Sequence, residues 1–274
     1  MPTPLIHSLT KKYIHTAIKH PHHNYLLIGN PGSGKFTLAS YLANRIDPTI
    51  ANNMLHLSTQ SISISDVRDI GSFFKLKSPN NRCVLIENID KMTFEAQNAF
   101  LKFLEEPPKN IFIIATSAYP SKLLKTVTSR FETIPVITPK KNDSSEYAAK
   151  HSPNANFDKN YALSNGNIGL LLSLTQNKQH YLNEYIKQAK NILRSSYFER
   201  LKQVDQILNT KNDVSLFLFS LNLLIKAGLI NSASNNKKEY VKWLELRKKT
   251  NQYTNLEEIH IQPKLMLSTL FMDL

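Results

Sequence analysis

Tyr25-Leu26-Leu27-Ile28-Gly29-Asn30-Pro31-Gly32-Ser33-Gly34-Lys35-Phe36-Thr37 is the stretch whose reading decides the fold. Four apolar residues run straight into a loop of Gly and Pro, after which Phe36, Leu38, Ala39, Leu42 and Ala43 recur at helical spacing. The order is strand, loop, helix, the setting that the Walker A spacing of Gly29, Gly34 and Lys35 requires. In such a loop the backbone N–H groups, those of Gly32, Ser33 and Gly34 among them, point at phosphate oxygens. The helix N-terminus adds partial positive charge, and Lys35 would reach the outer phosphates. The competing reading is a Gly-rich turn without a ligand. One position departs from the pattern: Ser or Thr should follow the lysine, because that hydroxyl ligates Mg²⁺, and Phe36 stands there. Thr37 comes one residue late, and one residue turns a helical side chain by about 100°.

Outward from the loop, residues 5–20 read as an amphipathic helix that stops before Pro21. Ser65 or Asp66 can cap a helix carrying Val67, Ile70, Phe73 and Phe74, and Pro79-Asn80-Asn81 then breaks the chain before a second buried strand, Cys83-Val84-Leu85-Ile86. Thr93 is expected to cap a helix whose Phe94, Ala96, Ala99, Phe100, Phe103 and Leu104 face inward, until Pro107-Pro108 stops it. Ile111-Phe112-Ile113-Ile114 gives a third strand, 123–126 a short helix and Ile134-Pro135-Val136 a last edge strand. Strands alternating with helices imply a parallel, doubly wound α/β sheet. Near residue 140 the strand signals vanish, and the polar run 140–145 reads as a linker. The expected organisation is an α/β phosphate-loop domain over 1–140, a small helical lid over 141–178 and an all-helical domain over 179–274. Helical patterns cover 214–227 and 239–248, and a polar break falls at 231–236.

A chain of 274 residues is long enough for one to three domains with their own cores. Its net charge of +13 is spread, with 16 basic against 9 acidic residues over 1–140 and 14 against 9 over 181–274. Such a field attracts polyanions, nucleic acid above all, and serves colloidal stability equally well. The lone Cys83 cannot form an internal disulfide or a four-cysteine zinc site, and fits a reducing cytoplasm. Opening an apolar run, it reads as a packing residue. No stretch approaches the roughly 18 to 20 uninterrupted apolar residues of a membrane span, and the amino terminus lacks a basic region followed by an apolar core. A soluble cytoplasmic protein with no membrane partner is expected.

Two further segments carry a family resemblance. Val84-Leu85-Ile86-Glu87-Asn88-Ile89-Asp90-Lys91-Met92-Thr93 resembles the Walker B segment of bacterial clamp-loader subunits, AAA+ proteins whose pattern is an apolar strand followed by Asp-Glu-Ala-Asp-Lys-Met-Thr. Directly after it, Asn98-Ala99-Phe100-Leu101-Lys102-Phe103-Leu104-Glu105-Glu106-Pro107-Pro108 is similar to that family's Asn-Ala-Leu-Leu-Lys-x-Leu-Glu-Glu-Pro-Pro. Thr116-Ser117 resembles a sensor 1 position, and Thr128-Ser129-Arg130-Phe131 the Ser-Arg-Cys motif with Phe for Cys. Asp66-Val67-Arg68 and Leu76-Lys77-Ser78-Pro79 are similar to the segment ahead of Walker B, and 261–270 to a last collar helix. The resemblance is dense over 10–136 and sparse beyond. It implies an AAA+ domain, a helical lid and an all-helical collar domain that assembles subunits into a ring.

The departures from that family cluster at the nucleotide chemistry. Besides Phe36, Glu87 stands where the family's Mg²⁺-linked Asp would be, and its extra methylene displaces the carboxylate. Asn88 replaces the glutamate that polarises the attacking water, and an amide cannot accept that proton. Gly169, in Asn165-Gly166-Asn167-Ile168-Gly169, falls at or near the place of a sensor 2 arginine. Arg130 is kept, and the resemblance assigns that arginine to the ATP of a neighbouring subunit. The implied function is a non-hydrolysing subunit of the delta-prime type. It would work in a hetero-oligomeric ring with gamma/tau-type and delta-type subunits, the sliding clamp and primed DNA. ATP or ADP would bind, if at all, without hydrolysis, and no metal site is expected. The four-cysteine zinc module of some relatives is absent over 51–65, and His20, His22 and His23 read as a solvated turn. Arg68, Lys75 and Lys77 are candidates for the DNA backbone, or plain surface charge. Two other readings stay open, an ATP-hydrolysing gamma/tau-type motor subunit and an unrelated AAA+ remodelling protein.

Overall fold

The apolar run ahead of the glycine loop forms strand β1 (Asn24–Ile28), which alternates between two cores. Leu26 joins one, and Tyr25 and Leu27 the other, because successive side chains on a strand point to opposite faces. Four more strands, β2 (Met54–Leu57), β3 (Arg82–Ile86), β4 (Ile111–Ser117) and β5 (Glu132–Pro135), complete a five-stranded sheet in the order β2-β3-β4-β1-β5. Every pairing is parallel, with Leu27 opposite Thr116 and Ile28 opposite Ser117 and Pro135. Parallel neighbours need crossovers, and helices supply them. These are α2 (Lys35–Ile46), α3 (Ile64–Lys75), α4 (Phe94–Glu105) and α5 (Lys125–Thr128), while α1 (Ser8–Lys19) precedes β1. One face of the sheet is covered by Val67, Ile70 and Phe74 of α3 with Phe100 and Leu104 of α4. The other is covered by Ile14 and Ala17 of α1 with Leu38, Ala39 and Leu42 of α2. Cys83 lies in this second core, and burial pushes its thiol up to about 12.

The computed structural model describes residues 4–58, 61–76, 78–151, 157–176, 180–209, 214–233, 236–256 and 262–274. Contacts divide the chain into two compact units, Met1–Pro139 and Lys140–Leu274. The second contains α6 (Lys141–His151), α7 (Phe157–Ser164), α8 (Ile168–Gln176), α9 (Tyr181–Arg194), α10 (Tyr197–Asn209), α11 (Val214–Ser232), α12 (Lys237–Leu256) and α13 (Pro263–Asp273), with no strand among its described residues. Its core gathers Leu170, Leu182, Ile186, Phe217, Leu221, Leu267 and Phe271. The expected lid boundary at 178 lies outside the described residues.

Four local readings need correction. Strand β2 was not anticipated: Met54-Leu55-His56-Leu57 is short, carries a polar residue and buries only Leu57 fully, as an edge strand can. Helix α3 is capped two or three residues earlier than expected, at a capping box in which Ser63 and Asp66 bond reciprocally, the Ser63 N–H donating to Asp66 Oδ2 at 2.7 Å. Phe94 is not inward-facing but 62% exposed; it is the first residue of α4, whose buried positions are Ala96, Gln97, Phe100 and Leu104. Most of 140–145 is not a linker but the start of α6, where Ser144 and Ala148, four residues apart, form a buried stripe and Lys141 pairs with Asp158 at 2.7 Å. Helix α11 also qualifies the membrane expectation. It is long and apolar enough to cross a bilayer, yet Phe217, Leu218, Leu221 and Ile225 are spent on the helical core.

Candidate functional site

The glycine loop leaves the carboxyl end of β1, the edge of an open α/β sheet where ligands bind. Gly29 donates its N–H to Ser117 O at 3.2 Å, and a Cβ there would meet Val136 O at 2.8 Å, so the strand end admits only glycine. Gly32 (φ 77°) and Gly34 (φ 82°) take the left-handed conformation that turns the chain into α2. Lys35 is the first residue of that helix and only 7% exposed. Its Nζ donates to Gly29 O at 2.8 Å and Asn30 O at 2.9 Å. Burial pushes the ammonium down to about 8, against Asp90 and Glu87, which favour its charge. Ser33 Oγ is buried and unpartnered among the described residues. Thr37 is exposed, as its rotation around the helix requires.

Glu87 and Asn88 follow β3 at the same edge. Asn88 is left-handed (φ 55°), and its N–H donates to Thr116 Oγ1 at 3.0 Å, so the sensor-like threonine is engaged by backbone at 1% exposure. Asp90 Oδ1 accepts from Ala118 N at 3.1 Å and ties this turn to the end of β4. The divalent metal that the family implies does not fit the residues here. The ring of Phe36, where a ligating hydroxyl would stand, packs on His56 with centroids 4.7 Å apart. Glu87 Oε2 accepts from Ser58 Oγ at 2.8 Å and lies 3.8 Å from His56 Nε2. An aromatic ring, an imidazole and a hydroxyl-bonded carboxylate do not make the oxygen-rich octahedron that Mg²⁺ demands. Sequence reading missed His56 and Ser58. The signal is register: Leu57 pairs with Ile86, so Ser58 emerges beside Glu87.

Arg130 lies at the other edge. A cleft of about 510 Å³ is lined by His22 and His23 ahead of β1, Asn24 at its start, Leu104, Glu105 and Pro107 at the end of α4, and Ser129, Arg130, Phe131 and Glu132 at the start of β5. Arg130 is held by Glu105 Oε1 at 2.5 Å and by Thr126 O at 2.6 Å. Asn24, 3% exposed, donates from Nδ2 to both Leu104 O and Arg130 O at 3.1 Å, while its Oδ1 is buried and unpartnered among the described residues. This single amide stitches the Leu-Glu-Glu-Pro-Pro and Ser-Arg segments together. The cleft and the glycine loop sit at opposite ends of the five-residue β1, a separation of about 16 Å at the rise of a parallel strand.

The remaining candidates lie elsewhere. Arg68 and Lys75 are exposed on α3, seven residues apart and so on one face, while Lys77 falls outside the described residues. His22 and His23 are engaged locally: the His22 N–H donates to Tyr25 Oη at 2.6 Å, and His23 Nδ1 bonds Ile111 O at 2.9 Å with its ring stacked on Phe112. Among the described residues no three His, Cys, Asp or Glu side chains cluster as metal ligands. In the second unit, Gly169 lies in the first turn of α8, after a tight turn in which Asn165 (φ 49°) and Gly166 (φ 74°) are left-handed.

Comparison with known proteins agrees with this geometry. Residues 46–140 match the family described as DNA polymerase III, delta subunit. The DNA polymerase III subunit delta' of Buchnera aphidicola subsp. Baizongia pistaciae is 28% identical over 171 residues, 61% of this chain and 46% of that protein. The Bacillus subtilis delta' is 35% identical over 79 residues, 29% of this chain and 24% of its own length. The chain thus spans less than half the length of these curated relatives. In fold it resembles a DNA polymerase III gamma subunit-related protein of Thermotoga maritima, with TM-score 0.56 and 19% identity over 96% of this chain and 97% of that one. It also resembles the Thermotoga maritima RuvB Holliday junction branch migration motor, with TM-score 0.53 and 14% identity over 95% and 80%. Over the parts of the chain that these matches cover, the sequence is thus similar to DNA polymerase III delta-prime subunits, and the fold is of the AAA+ type.

Proposed function

We propose that the chain is a non-hydrolysing, delta-prime-like subunit of a bacterial clamp loader, which completes the ring and offers Arg130 to ATP bound by a neighbouring subunit. The observation that carries this reading is the placement of Arg130 at the sheet edge opposite its own glycine loop, about 16 Å away along β1. At that distance the guanidinium cannot reach a phosphate on its own loop, whereas a cleft open at the edge can receive one from outside. A trans arginine stabilises charge on the transferring phosphoryl group and is worth about 10³ to 10⁵ in rate in related NTPases.

The loop itself retains a phosphate grip through its amides and Lys35, without the groups for hydrolysis. Asn88 cannot act as base toward water, and Phe36 and Glu87 do not form a metal site. The intact Lys35 loop favours a second reading, a gamma/tau-type motor, which would then need another carboxylate in place of Asn88. Arg68 and Lys75 on one face of α3 supply the expected phosphate contact with primed DNA, and gamma/tau-type subunits, a delta-type subunit and the sliding clamp are the expected partners.

The test is the DNA-stimulated ATPase of the assembled loader. Arg130→Ala should lower it clearly with the ring still assembled, because the neighbouring site loses a trans-arginine effect worth about 10³ or more. Unchanged turnover removes the trans role, and ATPase by the isolated chain that Lys35→Ala abolishes decides for the motor.

A further inference from the structure

The four side chains Phe36, His56, Ser58 and Glu87 form a connected group at the mouth of the glycine loop. Phe36 lies on His56 with centroids 4.7 Å apart, His56 Nε2 is 3.8 Å from Glu87 Oε2, and Ser58 Oγ donates to that same oxygen at 2.8 Å. In a metal-dependent loop, this corner presents a hydroxyl from the residue after the lysine and a free carboxylate from the end of the neighbouring strand. Here the first is an aromatic ring that packs partly against the second core, and the second is drawn toward β2 by Ser58. The loop's phosphate-facing apparatus is built differently: Gly32 and Gly34 keep the left-handed turn, Lys35 is the first residue of a 12-residue helix, and its Nζ lies at the loop carbonyls. The anion-binding half of the site is intact, and the cation-binding half is occupied by a ring and an engaged carboxylate.

We infer that this loop takes the phosphate tail of a di- or triphosphate as the free anion, without a divalent metal. The inference rests on the reading that the loop still grips phosphate. Its physical basis is charge balance. With Lys35 and the α2 N-terminus as the facing positive groups, a metal-free tail is the better partner, because a Mg²⁺-bound tail presents two fewer negative charges. At the two positions where a metal ligand would stand, Phe36 offers no oxygen and the Glu87 carboxylate is engaged by Ser58, so neither repays the water that the metal would lose. The tail is the recognised part, so inorganic pyrophosphate should compete with ADP.

Calorimetric titration of the full chain with ADP and with pyrophosphate, once with chelator and once with millimolar Mg²⁺, tests this. Both ligands should bind in chelator, and Mg²⁺ should leave the affinity unchanged or weaken it by up to roughly tenfold. Tightening by Mg²⁺ overturns the inference while leaving the phosphate grip standing. Absence of binding in both buffers overturns both, and the role of Arg130 is then decided separately by the loader ATPase. ADP that pyrophosphate cannot displace also overturns it. Lys35→Ala should weaken binding at least roughly tenfold, the loss of one charge-assisted contact; binding at the unaltered affinity would place the ligand elsewhere. The double variant Phe36→Thr, Glu87→Asp restores the metal-side chemistry and should be tightened at least roughly fivefold by Mg²⁺. Indifference to the metal in that variant would show that these two side chains are not what excludes it.

Discussion

Lys35 offers a measurement that tests the loop's electrostatics without a ligand. Burial holds its ammonium at about 8, against an ordinary value of 10.5 that it regains on unfolding. Between those values the unfolded chain binds the proton and the folded chain does not, so stability must rise with pH across the window. Below pH 8 both states carry the proton and the folded state bears the full penalty of the buried charge, about 3 kcal/mol at 1.36 kcal/mol per unit. Above 10.5 both are neutral and the penalty is gone. Between pH 7.5 and pH 10 the relief amounts to about 2 kcal/mol.

The perturbation is Lys35→Met, which keeps an apolar stem and removes the titrating group. At a single pH the variant says little, because relief of the buried charge is offset by leaving Gly29 O and Asn30 O without their donor, a loss of about 1 to 3 kcal/mol. The slope is diagnostic. In denaturant melts at stepped pH, the difference between the unsubstituted chain and the variant should move in favour of the former by about 2 kcal/mol from pH 7.5 to 10, while distant groups cancel between the two proteins. A difference that stays constant within about 0.5 kcal/mol across that range would refute the account, and would mean that water reaches the ammonium despite its 7% exposure.

Thr93→Ala removes the hydroxyl that accepts the Ala96 N–H at the start of α4, and should lower stability by about 1 kcal/mol in the same melts. Gly228→Ala places a Cβ inside the indole of Trp243, where α11 meets α12, and should destabilise the helical unit by about 1 to 3 kcal/mol, read as loss of helical signal at lower denaturant. Glu105→Ala frees a guanidinium whose ion pair is 32% and 49% exposed on its two sides, so stability should change by less than about 1 kcal/mol. The same variant should still alter the Arg130-dependent ATPase of the loader, because Arg130 loses its side-chain partner in the cleft.

Legibility in the sequence followed the range of the interactions. The loop could be read because each residue answers a local demand: glycine where the backbone turns left-handed, lysine at the head of a helix. The same holds for Thr93 as a cap and for β1, β3 and β4, which are buried on both faces and each hold at least four consecutive apolar residues. Strand β2 failed that test because it is an edge. With one neighbour to pair with, it tolerates His56 on an exposed position, and its identity rests on Met54–Leu57 lying in register with Cys83–Ile86. Helix α6 was hidden for the opposite reason, since its polar composition resembles a linker and its helicity rests on packing against α7 and α8.

The candidate site divides along the same line. The absence of a hydroxyl at Phe36 and of an acid at Asn88 was plain from residue identity. What fills the metal's corner was not, because Ser58 and Glu87 are brought together only by sheet register across 29 positions. The position of Arg130 relative to the loop was likewise beyond sequence, although it constrains function most. In an all-parallel sheet every residue that follows a strand lies at one edge and every residue that precedes one lies at the other. Arg130 precedes β5 and Lys35 follows β1, so no rotamer change within this unit brings them together. Damage to the loop and damage to Arg130 must therefore be separable. Loop variants should act on what this chain holds, and Arg130 variants on what its neighbour holds. A loader in which both classes of variant altered the same nucleotide's binding to the same subunit would contradict the trans role proposed for Arg130.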